Sequence, residues 1–347
     1  MKALVLTAPN EFSIEDVEKP VPGPREVLCR VKAITICGTD AHLLRGDYPG
    51  FWPPAYPFIP GHEWSGEVCE LGEGAAALGF SVGDRVAGTS HDACGFCKKC
   101  VEGRYNLCEN YGNTDIHRQY GHNWQGAFAE YVVHGVKSVF HLPDDMNFHE
   151  AALLDPAAIA LHTAERGNIS SGDTVVVLGP GPVGLLSCDA ARALGAGRVI
   201  VVGRGERLAK AAELGYETVD YTVDEPVATV RAMTDDIGPD VALDCAGVPD
   251  SYRWALAMLH KGGRCASVGI PVEDVLLSLQ ELVLYEKELV GVRATAGGMR
   301  RAMPLVSDGR IRVNELHTHT FALEDFREAI DTFNERRGGA LKVIIEP

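Results

Sequence analysis

Thr174-Val-Val-Val-Leu-Gly-Pro-Gly-Pro-Val-Gly184 decides how the second half of this chain is read. A short β-branched run predicts a buried strand, and glycines spaced G-x-G-x-x-G follow it at once. An apolar helix-like stretch is expected next, over residues 183–194. Gly179 permits a tight turn, Gly181 lets backbone approach a pyrophosphate, and Gly184 lets helix and strand pack closely. The helix start adds unpaired N–H groups and a favourable dipole for phosphate. Between a strand and a helix, the motif predicts a dinucleotide site, with Pro182 and Val183 in the helix's first turn.

The sequence downstream repeats the alternation. Apolar runs at 199–202, 241–245, 264–269 and 288–292 are separated by helix-like stretches at 206–214 and 249–259. This predicts a parallel, doubly wound sheet covered on both faces. A carboxylate at the tip of the second strand would select NAD through the ribose 2′-hydroxyl. Here the tip reads Gly203-Arg204-Gly-Glu-Arg207. A small residue leaves room for a 2′-phosphate and a guanidinium can pair with it, so NADP is expected, with NAD open through Glu206. Gly203, Arg204 and Arg207 join Gly179, Gly181, Pro182, Val183 and Gly184 as cofactor-binding candidates.

Upstream, residues 1–150 are broken by Pro and Gly and hold short β-branched runs such as 27–36 and 66–71. They predict an irregular, mostly antiparallel domain. After about residue 295, a helix-like segment at 323–336 and a strand-like end at 341–345 are expected to return to it. The expected domains are 1–150 with 296–347, and 151–295.

Cys94, Cys97, Cys100 and Cys108 stand in Cys-Gly-Phe-Cys-Lys-Lys-Cys-Val-Glu-Gly-Arg-Tyr-Asn-Leu-Cys. Thiolates at this spacing predict a closed, tetrahedral structural zinc site with no open position for chemistry. A second constellation joins Cys37-Gly-Thr-Asp-Ala-His42 to Gly61-His-Glu63. Cys37, His62 and Glu63 can hold a metal while leaving a position for water or a substrate oxygen.

Composition narrows the classes. The 347 residues carry 48 Asp and Glu against 32 Lys and Arg, a formal charge of −16, which argues against nucleic-acid binding. The N-terminus does not read as a signal peptide, and the longest apolar run is too short for a bilayer. A cytoplasmic protein with no membrane partner is expected, and ten cysteines suit metal sites better than a secreted staple fold.

Taken in order, the cysteine site, Gly61-His-Glu-Trp-Ser-Gly66, the cysteine quartet and the glycine motif resemble the zinc-dependent medium-chain dehydrogenase/reductase superfamily over essentially the whole chain. Ile36-Cys-Gly-Thr-Asp-Ala-His42, Asn113-Thr, Gly126-Ala-Phe-Ala-Glu-Tyr131, and Leu154-Asp-Pro156 with Ala160-Leu-His-Thr163 are most similar to its polyol and L-threonine dehydrogenase branch. The resemblance implies a GroES-like, mostly-β catalytic domain beside a Rossmann domain. It implies two zinc ions per chain and reversible oxidation of a secondary alcohol to a ketone with NADP or NAD.

It further implies a catalytic zinc held by Cys37, His62 and either Glu63 or Asp155. Thr39 would take the substrate's proton and His42 would pass it on, in a homodimer or homotetramer. A polyol, sugar, cyclitol or hydroxy amino acid would serve as the small-molecule substrate. Trp52, Tyr56, Trp64, Tyr120 and Trp124, mixed with His117, Arg118, His122 and Asn123, are candidate pocket walls. The competing readings, a zinc-free quinone or enoyl reductase and a non-catalytic binding protein of the same fold, would be expected to lack the metal constellation.

Overall fold

The computed structural model describes residues 1–347 and divides them into two compact units, Met1–Asp155 with Val313–Pro347, and Pro156–Arg312. In the first unit the ten-residue strand Glu26–Thr35 is central. It pairs antiparallel with Glu63–Leu71, with Tyr131–Gly135 and with Lys342–Glu346. Arg85–Gly88 and Val139–His141 extend the seven-stranded sheet on one side, and His317–Ala322 closes the other, parallel to Lys342–Glu346. Apolar side chains from distant segments, among them Val31, Ile34, Phe128, Phe326 and Ile345, fill its core. The last strand is thereby tied to the residues that precede Cys37, since Ile344 lies opposite Thr35 and the Ile36 N–H donates to the Val343 carbonyl.

The second unit is a six-stranded parallel sheet in the order Glu217–Asp220, Arg198–Gly203, Thr174–Leu178, Val241–Asp244, Arg264–Ser267, Glu288–Gly291. Val175, Val176 and Val177 are fully buried, as β-branched residues between two helical layers should be. Strand order reverses between Thr174–Leu178 and Val241–Asp244, and the crevice beyond their carboxyl ends is where such sheets take ligands. The glycine motif lies there, with the helix Pro182–Ala193 starting directly after Gly181.

The edge strand Glu217–Asp220 and the helix Pro226–Met233 are absent from the sequence reading. Glu-Thr-Val-Asp has one apolar residue, so only its pairing with Arg198–Gly203 makes it a strand. No helix is long and apolar enough to cross a membrane.

Candidate metal and cofactor sites

All ten cysteines are free thiols, and four of them converge. The sulfurs of Cys94, Cys97, Cys100 and Cys108 lie within 4.8 Å of one another, with 3.8 Å between Cys94 and Cys100 and 3.9 Å between Cys97 and Cys108. Zinc–sulfur bonds of about 2.3 Å in a tetrahedron give edges of about 3.8 Å, so the thiols fit that ion. Cys97 starts the short helix Lys98–Val101, which brings Cys100 back over the chain. The Asn110 amide donates to the Cys94 sulfur at 3.2 Å, and the Cys97 and Glu109 N–H groups point at sulfurs at 3.4 and 3.5 Å. Burial opposes ionisation of Cys94, but the Cys97 and Phe96 N–H groups and the Asn110 amide bring its pKa down to about 6.

The second centre is built from a helix start and a strand start. Cys37 is the N-cap of the helix Gly38–Arg45, in extended conformation, and its N–H donates to the Asp40 carboxylate at 2.8 Å. Gly61 turns the chain at φ 98°, where an added Cβ would lie 2.6 Å from Ile34 and 2.7 Å from Phe128. Only glycine fits that approach, and it delivers His62 and Glu63 to the opening of the strand Glu63–Leu71. Ligand atoms of Cys37, His62 and Glu63 lie within 4.8 Å of one another. A soft thiolate, an imidazole and a carboxylate on a half-open site fit zinc.

His62 and Glu63 each have a buried partner behind them. The Asp40 carboxylate lies 3.4 Å from His62 Nδ1; burial opposes protonation of the imidazole, but Asp40 and Cys37 raise it well above its ordinary value. The Glu63 carboxylate is gripped by the ammonium of Lys342 and the hydroxyl of Thr35, all three residues being almost completely buried. Burial pushes Glu63 up, but Lys342 and His62 outweigh it and hold the group below the usual range. Asp155 lies outside the three-residue group and accepts a hydrogen bond from Thr89 at 2.9 Å. Burial raises its pKa to about 6, against a downward pull from His62.

Thr39 and His42 share the helix that Cys37 caps. The Thr39 hydroxyl is 3.8 Å from the Cys37 sulfur. His42 is 37 % exposed in its side chain, and Nδ1 meets Asp47 at 2.8 Å and Arg45 at 2.9 Å. Nδ1 accepts from Arg45 in one tautomer and donates to Asp47 in the other.

In the nucleotide motif, a Cβ on Gly184 would lie 2.0 Å from the Gly179 carbonyl oxygen, which is the close helix–strand contact expected. Gly181 has open space except for the Arg207 guanidinium, 3.8 Å from its added Cβ. That opening, at the N-terminus of a twelve-residue helix, fits a pyrophosphate. Gly203 is required by more than the cofactor, since its Cβ would lie 2.3 Å from Pro180. Arg204 is exposed and stands 5.7 Å from the Tyr221 ring, while Glu206 points to solvent.

The candidate pocket walls separate. Trp52 and His122 stand beside the second centre, with the His122 ring 4.7 Å from Trp52 and 4.5 Å from His62. Trp64 and Tyr120 are core residues instead, both packed on His134. Trp124 lies under Arg118 at 4.3 Å, and Arg118 is paired with Glu26. Asp40, Thr35, Thr89 and Lys342 are absent from the sequence reading of the site. Asp40 had a signal, its position three residues after a helix N-cap; Lys342 had none.

Comparison with known proteins gives the site its context. Residues 23–144 match the family described as alcohol dehydrogenase GroES-like domain, and residues 182–308 match zinc-binding dehydrogenase. The chain is 34% identical to a sorbitol dehydrogenase of Halalkalibacterium halodurans, covering 100% of this chain and 99% of the relative. It is 33% identical to an L-threonine 3-dehydrogenase of Idiomarina loihiensis, over 99% of each. Among solved structures, a zinc-binding dehydrogenase from Sinorhizobium meliloti 1021, bound to NADP, superposes with a TM-score of 0.89 at 32% identity, covering 100% of this chain and 99% of that one.

Proposed function

Because the chain belongs to the zinc-binding alcohol dehydrogenase family, a class of oxidoreductases that interconvert alcohols and ketones with NAD(P), we propose how its own residues divide that work. The first unit is the catalytic domain and the second binds the nucleotide. The chain holds two zinc ions. Cys94, Cys97, Cys100 and Cys108 hold the structural one; Cys37, His62 and a carboxylate, Glu63 or Asp155, hold the catalytic one. The observation that carries this reading is the convergence of Cys37, His62 and Glu63 next to the Thr39 hydroxyl.

When bound, zinc supplies Lewis acidity that favours the ionised form of a substrate hydroxyl, and the nicotinamide supplies a hydride acceptor. The chain's own groups then handle the proton. Thr39 accepts it from the substrate hydroxyl, and His42 moves it towards solvent, alternating between Arg45 and Asp47 as its Nδ1 partner. Asp40 fixes the ring of His62, and Trp52 and His122 exclude water from one side of the centre.

Gly203 and Arg204 favour NADP, with Arg204 meeting the 2′-phosphate and Arg207 the pyrophosphate. Measuring kcat/KM with both cofactors tests this: NADP is preferred, and Arg204→Ala narrows the preference. A preference for NAD in the unmodified enzyme rejects the assignment. Zinc analysis returning two ions per chain, and Cys37→Ser retaining one ion without turnover, tests the division of the metal sites.

Self-association completes the reading. The strand Glu288–Gly291 is one of the two edges of the parallel sheet, and Leu276, Leu279, Val283 and Leu284 close to it in sequence are each more than 60 % exposed. A free edge with an apolar surround can pair with its own copy about a two-fold axis. Light scattering of Leu279→Glu/Val283→Glu checks the surface; an unchanged oligomer refutes it.

A further inference from the structure

The amino-terminal ends of the parallel strands, opposite the glycine motif, border a cavity. Gly179 and Gly203 sit at the carboxyl ends of their strands, whereas this cavity of about 610 Å³ is lined by the segments that enter three strands. Ile237 precedes Val241–Asp244, Lys261 precedes Arg264–Ser267, and Lys287 precedes Glu288–Gly291. All of it lies within the nucleotide-binding unit.

Its chemistry departs from that of the rest of the chain. In a protein of formal charge −16, three basic side chains, Arg231, Lys261 and Lys287, face one cavity together with two carboxylates, Glu281 and Asp236. Lys287 is 9% exposed and donates to the Leu256 carbonyl at 2.6 Å, leaving two ammonium protons for other partners. Glu281 lies 3.7 Å from it, a separation that offsets charge without a full hydrogen bond. Arg231 spends one donor on the Asp236 backbone carbonyl rather than on the carboxylate. Burial lowers the pKa of Lys287, Glu281 pulls it back up, and the Arg231 charge, which repels it across the cavity, pushes it down. The Lys261 and Lys287 ammonium groups stand 5.4 and 5.6 Å from the Tyr285 ring, and Leu259 and Ile237 supply apolar wall.

Like charges gathered at a half-apolar recess lose their repulsion when an anion sits between them. We propose that this cavity binds a small organic anion, with a carboxylate or phosphate head among Arg231, Lys261 and Lys287 and an apolar body against Leu259 and Ile237. The site is separate from the nucleotide crevice and does not depend on the reading of the reaction.

Matched probes test it. Benzoate and benzamide share a body and differ in charge; phenyl phosphate and inorganic phosphate share a head and differ in body. Calorimetry at millimolar ligand, on the zinc-loaded enzyme saturated with NADP, reports binding with the nucleotide crevice filled. Benzoate and phenyl phosphate are expected to bind, benzamide not to, and inorganic phosphate more weakly than its phenyl ester. Arg231→Ala and Lys261→Ala should each weaken phenyl phosphate about tenfold or more, the scale of a lost charge-assisted hydrogen bond. Both sites have solvent contact, so the variants should fold, with cofactor affinity unchanged as the control. Equal binding of benzamide, no binding of either anion, or affinity lost in Arg204→Ala but kept in Arg231→Ala and Lys261→Ala would each overturn the proposal.

Discussion

Lys342→Met separates a charge partner from the residue it serves. Lys342 and Glu63 are 3% and 1% exposed in their side chains, and methionine fills the lysine's volume without its charge. Removing one member of a buried pair costs about 3–5 kcal/mol, because the other is left charged without a partner. Glu63 has an escape, however, which is to take a proton. Its ordinary pKa is 4.5, so protonation at pH 7 costs about 1.36 × 2.5, or about 3.4 kcal/mol, and this caps the penalty.

The cap falls as pH falls, by about 1.4 kcal/mol per unit, to about 1.4 kcal/mol at pH 5.5. In the parent, the folded pKa of Glu63 is lowered; the pair's contribution is full above the unfolded value and is lost as acid protonates the carboxylate. In the variant the folded pKa rises above the unfolded value, so the folded state holds the extra proton and regains stability in acid. Between pH 7.5 and 5.5 the parent is unchanged and only the variant's trend acts, so the difference shrinks. Urea unfolding of parent and variant at pH 7.5, 6.5 and 5.5 reads it directly, and Glu63→Gln/Lys342→Met should recover most of the loss. A penalty that does not change with pH, or a double variant no better than the single one, would refute the reasoning.

On the proposed division of two zinc ions, Cys97→Ser should remove one of them, seen by metal analysis, and loosen residues 94–108 to proteolysis while the ion proposed at Cys37 stays. Gly203→Asp, the change that would import an NAD-type carboxylate, should weaken both cofactors because its Cβ meets Pro180 at 2.3 Å; fluorescence titration of NADH and NADPH tests this, and a clean gain of NAD affinity contradicts it. His134 is fully buried, and burial depresses its pKa from 6.5 to about 3, so the neutral ring's stability is lost as pH falls below 6.5. Between pH 7 and pH 4 that group alone should remove about 3 kcal/mol, and in His134→Gln this part of the acid slope should vanish from unfolding curves.

What was legible in the sequence was local. The strand, the glycine spacing and the helix that follow Thr174 are contiguous, so a period and three glycines are enough to find the sheet. The quartet spans fifteen residues and carries its own spacing rule. The partners behind the second centre are not local. Lys342 occupies an unremarkable position in Leu-Lys-Val-Ile-Ile, and only the antiparallel pairing of Lys342–Glu346 with Glu26–Thr35 carries it under Glu63. Trp64 and Tyr120 show the converse. An aromatic near a motif suits a pocket wall, but the face Trp64 takes is set by strand register, and both it and Tyr120 pack onto His134.

The grip of Lys342 on Glu63 also orders the making of the protein in time. The two residues are 279 positions apart. At about 5–20 residues per second, a ribosome needs roughly a quarter of a minute to a minute after Glu63 to deliver its counter-charge. The cysteine quartet is complete within one second or a few on the same scale. A growing chain can therefore bring its four clustered cysteines together early, whereas Glu63 waits for the last strand. A chaperone or metal-delivery partner would meet the two sites in that order.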